Sequence, residues 1–439
     1  MRDIFVSVIV FGLLPRIVFR PDIGILLWCW LSYMNPHKLS WGFAHDFPFA
    51  MLVALAILGG LLIWKEPKKI PWSPVTVILV IFVVWMFVTT VFAVNTGSAW
   101  AQWNKVWKIQ LMTVVTMMVM NTRWRLETML WVIALSLGFY GVKGGIFTVL
   151  TGGGYRVWGP GGSFIAGNNE IGLALIMTIP LLRYIQLTAR RLWIRHGMTA
   201  AMVLSMFSII GTQSRGAFLG MGAMSLFLAV KSRNKVLLIL LLLIAIPAIV
   251  SFMPDSWHER MSTINTYQKD ESALGRINAW WMAFNSAKVR PFGGGFECFL
   301  DRVFFATYAP IPWDVHDAHS IYFEVLGEHG FIGLGLFLSF GLAAWHMGSS
   351  IIRDAKKQDS MRWMSDMAAM IQVSLVGYAA SGTFLGLAYF DLMYNLVAIL
   401  VVLRTLADKQ LAEPAMATET EVIQTRPVSF VRPVIPRQT

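Results

Sequence analysis

The chain has 439 residues, of which 56% are hydrophobic and 14% are charged. A soluble domain carries about 25% charged residues, so this composition excludes an ordinary soluble protein and places most of the chain in lipid. The net charge of +12 does not imply nucleic acid as a partner, because cytoplasmic loops of membrane proteins collect Lys and Arg. The two cysteines, Cys29 and Cys298, lie in unlike contexts and indicate no disulfide framework or metal site.

The N-terminal segment contains two short apolar pieces, because Pro15 and Pro21 interrupt the pattern. No small-residue cleavage signal precedes Pro15, so we expect the N-terminus to be retained. These pieces must cross the membrane an odd number of times if the N-terminus is cytoplasmic. The number of helices in residues 1–48 stays open.

Long apolar runs follow in the rest of the chain. Their continuous hydrophobicity favours α-helices over the strands of a β-barrel, whose segments of about 10 residues alternate in polarity. The predicted spans are Phe49–Trp64, Pro74–Val94, Val106–Met120, Leu126–Leu150, Ile171–Ile185, Met198–Gly211, Ala217–Val230, Val236–Phe252, Ile321–Ala344, Met367–Phe384 and Ala388–Leu403. The fold is therefore predicted to be an all-α polytopic membrane protein with about 12 transmembrane helices.

The basic clusters set the predicted orientation. They lie near residues 65–69, 123–125, 183–195, 231–235 and 353–362. Two predicted spans separate each neighbouring pair, so all five clusters can lie in the cytoplasm. This orientation brings Gly152–Glu170, Thr212–Gly216 and the long polar loop together on the extracytoplasmic side.

Changes of composition divide the chain into four parts. Residues 1–253 and 321–405 are predicted to hold the transmembrane helices, and residues 254–320 form the polar loop between them. Loops longer than about 12 to 15 residues are usually functional or disordered, so we interpret this one as the catalytic half of a membrane enzyme. Residues 406–439 are polar and rich in proline, which predicts a disordered cytoplasmic tail.

Arg215 lies in a tight hairpin between two apolar helices. An arginine at the membrane centre costs about 2.5 to 3.5 kcal/mol on translocon scales, so one this close to hydrocarbon needs a reason. Its side chain either extends to the interface or binds the phosphate of a lipid-linked substrate. The residues alone leave both interpretations open.

Within the long loop, Ser272–Lys288 is predicted to be a helix along the membrane surface, with Ser272 as its cap. Arg276 falls in its first turn, where the helix macrodipole disfavours a cation. An anion bound there would satisfy both the helix terminus and the guanidinium, and a plain interfacial residue is the alternative. The apolar stripe of this helix consists of Ile277, Trp280, Trp281 and Phe284.

Two glycine-rich segments are further candidates. Arg290–Phe296 contains three successive glycines, which fit either a phosphate-binding nest of backbone amides or a structural turn. It lacks the Gly-Lys-Ser/Thr of a nucleotide P-loop. Gly152–Glu170 contains Arg156 and Asn168 and is typical of a mobile loop that faces a substrate.

The polar cluster Asp314–Tyr322 stands immediately before an apolar span. His319 lies at the helix entrance, where an imidazole suits a general base acting on a hydroxyl. His316, Asp317 and His319 could instead bind a metal such as zinc, or be interfacial polar residues.

Two glutamates, Glu324 and Glu328, follow one turn apart on the next helix. Below the membrane surface they need partners if they are ionised. We predict an arginine of the phosphate site as one such partner.

Four motifs follow one another along the chain: Ser214-Arg215-Gly216, Gly275-Arg276, Arg290-Pro-Phe-Gly-Gly-Gly and His319-Ser-Ile-Tyr322. In this order they resemble the O-antigen ligase and polymerase superfamily, over Leu126–Leu403. The resemblance is to the ligase branch, which includes the O-glycosylation ligases that accompany exosortase systems.

The resemblance implies a C-type glycosyltransferase-like fold and an O-antigen ligase activity. Such an enzyme moves a glycan from undecaprenyl diphosphate to a hydroxyl acceptor, the lipid A-core of lipopolysaccharide, with inversion at the sugar. It works in the bacterial inner membrane with its active site facing the periplasm. Neither a cofactor nor a metal is implied, and the chain lacks an Asp-x-Asp sugar-nucleotide motif.

The same resemblance assigns roles to individual residues. His319 matches the essential histidine, and Arg215, Arg276 and Arg290 match the diphosphate-binding arginines. Further candidates for substrate contact are Arg156, Asn168, His316 and Tyr322.

Other functions remain open from the sequence. An O-antigen polymerase or a protein O-oligosaccharyltransferase would use the same donor with another acceptor. A polysaccharide or lipid transporter would place ionisable residues near the midplane and often show repeated halves. The charges here gather on one face instead, which favours an enzyme.

Overall fold

The computed structural model describes residues 1–232, 235–262 and 271–424. This part of the chain consists of α-helices joined by turns and short 3₁₀ segments, with no β-strand among the described residues, so the all-α prediction is confirmed. The helices are α1 (Arg2–Phe19), α2 (Pro21–Met34), α3 (Phe49–Ile63), α4 (Pro74–Val91), α5 (Thr96–Val119), α6 (Arg123–Leu150), α7 (Asn168–Thr188), α8 (Leu192–Gly211), α9 (Arg215–Lys231), α10 (Lys235–Phe252), α11 (Asp255–Ser262), α12 (Glu271–Val289), α13 (Arg302–Tyr308), α14 (Ile321–Ala355), α15 (Arg362–Gly382) and α16 (Asp391–Gln424).

Five of the described helices are long and apolar enough to cross a membrane: α4, α6, α7, α8 and α14. The chain is thus a multi-pass membrane protein. The total of about 12 spans stays a prediction, since it rests on the apolar runs alone.

Most helix bounds follow the predicted runs within a few residues, but three ends differ more. α14 continues to Ala355 and α16 to Gln424, beyond the predicted ends at Ala344 and Leu403. α5 begins at Thr96, ten residues before the predicted start at Val106, because Asn95 accepts a hydrogen bond from the amide of Ser98 and caps the helix. At the N-terminus, Pro15 lies inside α1, and the break comes at Arg20, with Pro21 in the first position of α2.

α7 forms the centre of the bundle. All residues from Ile171 to Leu182 are buried, and the helix packs against α6, α8, α9 and α15. An apolar helix that is covered on every side has no lipid-facing stripe. The N-terminus of α7 is thereby fixed at the end of the bundle where the polar segments meet.

α14 is broken at Gly330, whose φ of 67° and ψ of −171° are open to glycine but strained for other residues. The turn Arg290–Phe296 inserts at this break. There the amide of Gly294 donates to Gly327 O at 2.8 Å, and the amide of Gly295 donates to Glu328 O at 2.9 Å. The amide of Gly293 donates to Arg290 O, so these glycine amides are bound within the protein. The segment is a structural turn rather than a phosphate nest.

Two predicted segments extend beyond the described residues. The loop 254–320 contains α11, α12 and α13, and its residues 263–270 lie outside the described part. The predicted tail, residues 406–439, begins inside α16, which continues to Gln424, and residues 425–439 are not among those described.

Candidate active site

Three segments that we expect on one side of the membrane lie together at one end of the bundle. The amide of Val157 donates to Gly211 O at 2.9 Å, and Asn168 Nδ2 donates to Thr212 O at 2.9 Å. From the long loop, Trp257 Nε1 donates to Ile210 O at 3.3 Å. The predicted proximity of the three segments is therefore confirmed, and their extracytoplasmic position stays a prediction.

The hairpin that carries Arg215 is as short as predicted. α8 ends at Gly211 and α9 begins at Arg215, and Ser214 Oγ accepts a hydrogen bond from the amide of Ala217. Arg215 is partly exposed in the first position of α9, the end of a helix where anions are favoured. The Arg215 guanidinium and the N-terminus of α9 are therefore close together, and both favour an anion.

The Gly152–Glu170 loop is tied to this hairpin by two candidate side chains. Arg156 Nε donates to Gln213 Oε1 at 3.3 Å, and Asn168 binds the carbonyl of Thr212. Gln213 in turn donates to Gly153 O at 3.2 Å. Both candidates have a structural contact here, and their contact with substrate stays a prediction.

Aromatic packing joins the start of α9 to the long loop. A Cβ added to Gly216 would lie 3.0 Å from Phe384 Cβ, so α9 lies directly against the chain that follows α15. The ring of Phe384 is 6.5 Å from that of Trp280 on α12. Arg215 and the α12 helix with Arg276 therefore border the same region.

The helix predicted over Ser272–Lys288 is α12, and it holds the backbone that leads into α14. Asn278 Nδ2 donates to the carbonyls of Ile311 and Asp314 at 2.9 and 3.0 Å, and Trp280 Nε1 donates to Ala318 O at 2.8 Å. Ser272 lies inside the first turn rather than before it. Of the predicted stripe, Trp281 and Phe284 are exposed, whereas Trp280 stacks on Phe323.

His316 packs on the first turn of α12. A Cβ added to Gly275 would lie 2.6 Å from the His316 ring, so this position requires glycine. His316 Nδ1 also lies 2.9 Å from Asp314 Oδ1. The next residue after Gly275 is Arg276, so His316 and Arg276 are neighbours.

His319 is half-buried beside these groups, with a positive φ of 41° one residue before the α14 cap, Ser320. Its pKa is lowered, chiefly because burial penalises the charged imidazolium, and also because Arg276 and His316 lie close. The carboxylates of Asp317 and Glu170 oppose this shift. The neutral imidazole is therefore favoured, and burial rather than the nearby guanidinium is the main cause.

Glu170 is a member of the site that the sequence did not single out. It lies in the first turn of α7, and its carboxylate folds back over Gly167, where an added Cβ would lie 2.0 Å from Oε2. An acidic residue in the first turn of an apolar span complements the helix dipole, and this was the available signal. Its negative charge raises the pKa of His319, although the two residues are far apart in the sequence.

Two further candidates, Arg290 and Tyr322, have structural contacts of their own, and their contact with substrate stays a prediction. Arg290 Nε donates to Gly293 O at 3.1 Å, and its guanidinium lies 5.7 Å from the centre of the Phe304 ring. These contacts place Arg290 at the glycine turn. Tyr322 donates its hydroxyl hydrogen to Ala379 O at 2.9 Å, which joins α14 to α15.

An acidic cavity of about 180 Å³ lies next to Asp317. Glu324 accepts a hydrogen bond from the amide of Ala388 at 3.1 Å, and Glu328 accepts from the Glu297 amide at 2.8 Å and the Tyr389 hydroxyl at 2.5 Å. These partners stand where we predicted an arginine. The segment before α14 supplies the Glu297 amide, and the segment after α15 supplies the Ala388 amide and the Tyr389 hydroxyl. In the described part of the chain, no three His, Cys, Asp or Glu side chains are grouped to hold a metal ion.

Residues 200–338 match the family model described as O-antigen ligase. This part of the chain is thus similar to O-antigen ligases. The predicted resemblance to the superfamily is confirmed, and it supports a glycosyltransferase-like activity of the ligase and polymerase type, with a lipid-linked glycan donor and an acceptor.

The match to the O-antigen ligase model is narrower than the predicted similarity, and it includes His319, Arg215, Arg276 and Arg290. Residues 1–190, with Arg156 and Asn168, match a family of unknown function. No curated protein matches the chain. The candidate site is therefore assembled from both matched regions.

Proposed function

We propose that the chain is an O-antigen ligase, an inverting glycosyltransferase that moves a glycan from undecaprenyl diphosphate to a hydroxyl of the lipid A-core. It acts from the bacterial inner membrane on the periplasmic face. An O-antigen polymerase or a protein O-oligosaccharyltransferase is the alternative, since the donor site would be the same and only the acceptor would differ.

The observation that carries this proposal is the position of His319. It combines a half-buried imidazole, favoured in its neutral form, with the adjacent positive charge of Arg276 at the entrance of α14. A base for a hydroxyl and a clamp for an anionic leaving group are the two parts that transfer from a glycosyl diphosphate requires.

In the proposed reaction, the acceptor oxygen attacks the anomeric carbon while His319 takes the hydroxyl proton. The bond from that carbon to the diphosphate oxygen breaks on the opposite face, so the configuration inverts. The leaving diphosphate gains negative charge, which Arg276 and Arg215 stabilise in a poorly hydrated site. Cleavage of the glycosyl diphosphate drives the transfer, and no nucleotide sugar is needed.

The acceptor is decided by an experiment on purified protein in liposomes. A lipid-linked glycan donor is supplied with lipid A-core, with an acceptor protein, or with a second lipid-linked glycan. Transfer to lipid A-core alone supports the ligase, and exclusive transfer to either of the others supports that alternative. Counterflow of the donor without any product would instead indicate a transporter.

Transfer is expected to continue at an unchanged rate in the presence of EDTA. His316, Asp317 and His319 are proposed to act as base and support rather than as metal ligands. The rate is measured before and after chelation, with each divalent metal added back singly. Loss of activity that one metal restores would support the metal interpretation of this cluster.

The rate should fall on acidification with an apparent pKa below that of an ordinary histidine, because the pKa of His319 is lowered and only its neutral form accepts a proton. Asp317 raises that pKa, so Asp317→Asn should move the acidic limb to still lower pH, while Asn retains an oxygen for the amide of Ala318. The measurement is kcat/KM against pH.

The matched control for this profile is Asp314→Asn, because Asp314 lies against His316 rather than His319. It should leave the acidic limb close to that of the wild type. An acidic limb that stays in place in Asp317→Asn, or moves to higher pH, would contradict the assignment of the limb to His319.

A further inference from the structure

An apolar groove of about 240 Å³ runs along the outside of the bundle between α14, α15 and α16. Leu338, Gly341 and Leu342 line it from α14, Leu375 lines it from α15, and Met393 lines it from α16. These side chains offer no charge and almost no hydrogen-bonding capacity. The groove therefore suits a hydrocarbon ligand.

One end of the groove lies at the candidate active site. Ile321 and Tyr322 form this end, and they follow His319 by two and three residues. The Tyr322 hydroxyl donates to Ala379 O, which fixes the two helices that form the walls. A molecule with a charged head at His319 could thus continue into the groove without crossing another element.

The other end is closed by Trp345, whose ring lies 5.3 Å from that of Phe227. From Phe337 to Trp345 the wall follows one continuous helix, a length of about 12 Å at 1.5 Å per residue. Along this length the groove opens sideways, since Leu338 and Leu342 are 43% and 61% exposed. In a membrane-spanning helix such an opening faces lipid.

We propose that this groove binds the isoprene units of the polyprenyl donor that lie nearest its diphosphate. This inference rests on the proposed function, because it assumes a lipid-linked diphosphate at the arginines. The charge distribution fits such a ligand: Arg276 lies beside His319 at the head end, and the groove beyond Tyr322 is apolar. The groove is too small for the whole chain, so the remainder would extend into the bilayer.

Two other apolar cavities are less suited to this role. One of about 290 Å³ lies between α9 and α10, and one of about 550 Å³ lies between α6, α7 and α8. Neither is lined by a residue of the segment Asp314–Tyr322, which places His319. The groove on α14 is continuous with that segment.

Gly341 provides the test. A Cβ added there would have no atom within 4 Å, so Gly341→Leu places its side chain in the groove without a clash against the backbone. Gly335, on the same helix, is also open within 4 Å and does not line the groove. Gly335→Leu is therefore the matched control for helix stability and lipid exposure.

Binding is measured for undecaprenyl diphosphate and for inorganic diphosphate, each with wild type and both variants. Gly341→Leu should weaken the binding of undecaprenyl diphosphate at least tenfold and leave the binding of inorganic diphosphate unchanged. Gly335→Leu should change the affinity for neither ligand. Equal binding of undecaprenyl diphosphate by Gly341→Leu and the wild type would overturn the proposal that the groove binds the isoprene units. A matching loss for both ligands would also overturn it, because the defect would then lie at the head site.

The proposed function is tested separately by glycan transfer. If the wild type binds undecaprenyl diphosphate but transfers glycan to none of the acceptors, the proposed enzyme activity fails while the binding comparison still decides the groove. If transfer occurs and Gly341→Leu retains the affinity of the wild type for the lipid, the groove proposal is wrong and the proposed enzyme activity is supported.

Discussion

His319→Ala is expected to abolish glycan transfer while leaving the binding of undecaprenyl diphosphate intact. General-base catalysis contributes about 10²- to 10⁴-fold, so the rate should fall by at least a hundredfold. Affinity should persist, because the proposed diphosphate contacts belong to the arginines. Transfer and lipid binding are measured on the same purified variant in liposomes.

His316→Ala is the matched comparison, since it removes a second imidazole three residues away. His316 packs on Gly275 and lies 2.9 Å from Asp314, so its loss should disturb the loop and reduce the rate less than loss of His319. Two results would remove His319 from the role of base. One is wild-type transfer by His319→Ala, and the other is a loss of lipid binding as large as the loss of transfer.

Arg276→Ala and Arg215→Ala should each lower transfer by about a hundredfold to a thousandfold, corresponding to about 2.7 to 4 kcal/mol of transition-state stabilisation. Each guanidinium is proposed to meet the diphosphate as charge develops on it. Both variants should remain folded and membrane-inserted. Lysine at either position should restore only part of the rate, because it lacks the planar fork that binds two oxygens at once.

Arg302→Ala serves as the control for charge. Arg302 is an exposed arginine at the start of α13 in the same loop, so its removal lowers the net charge equally without touching the proposed site. It should transfer at the wild-type rate. Donor turnover at the wild-type rate by both Arg276→Ala and Arg215→Ala would show that the diphosphate is bound elsewhere.

The sequence by itself determined the elements of this protein. Continuous apolar runs predicted the helices, since each must satisfy its own backbone hydrogen bonds in lipid. The pattern after Ser272 predicted α12, and the short Thr212–Gly216 segment predicted the hairpin that presents Arg215. The alternation of basic clusters also predicted which loops meet. These features depend on local composition and on counting spans, which a sequence contains directly.

The tertiary structure decided how distant residues combine. The glycine turn at residues 290–296 could be a nest or a structural turn until the break at Gly330 placed free carbonyls opposite its amides. Glu170 acts on His319 although 149 positions separate them, and Glu328 binds Tyr389 instead of an arginine. Burial is the main cause of the lowered pKa of His319, and it depends on the packing around the entrance of α14, where Trp280 of α12 donates a hydrogen bond to Ala318 O. Such effects depend on the packing of separate helices, and a linear pattern does not specify which side chains that packing brings together.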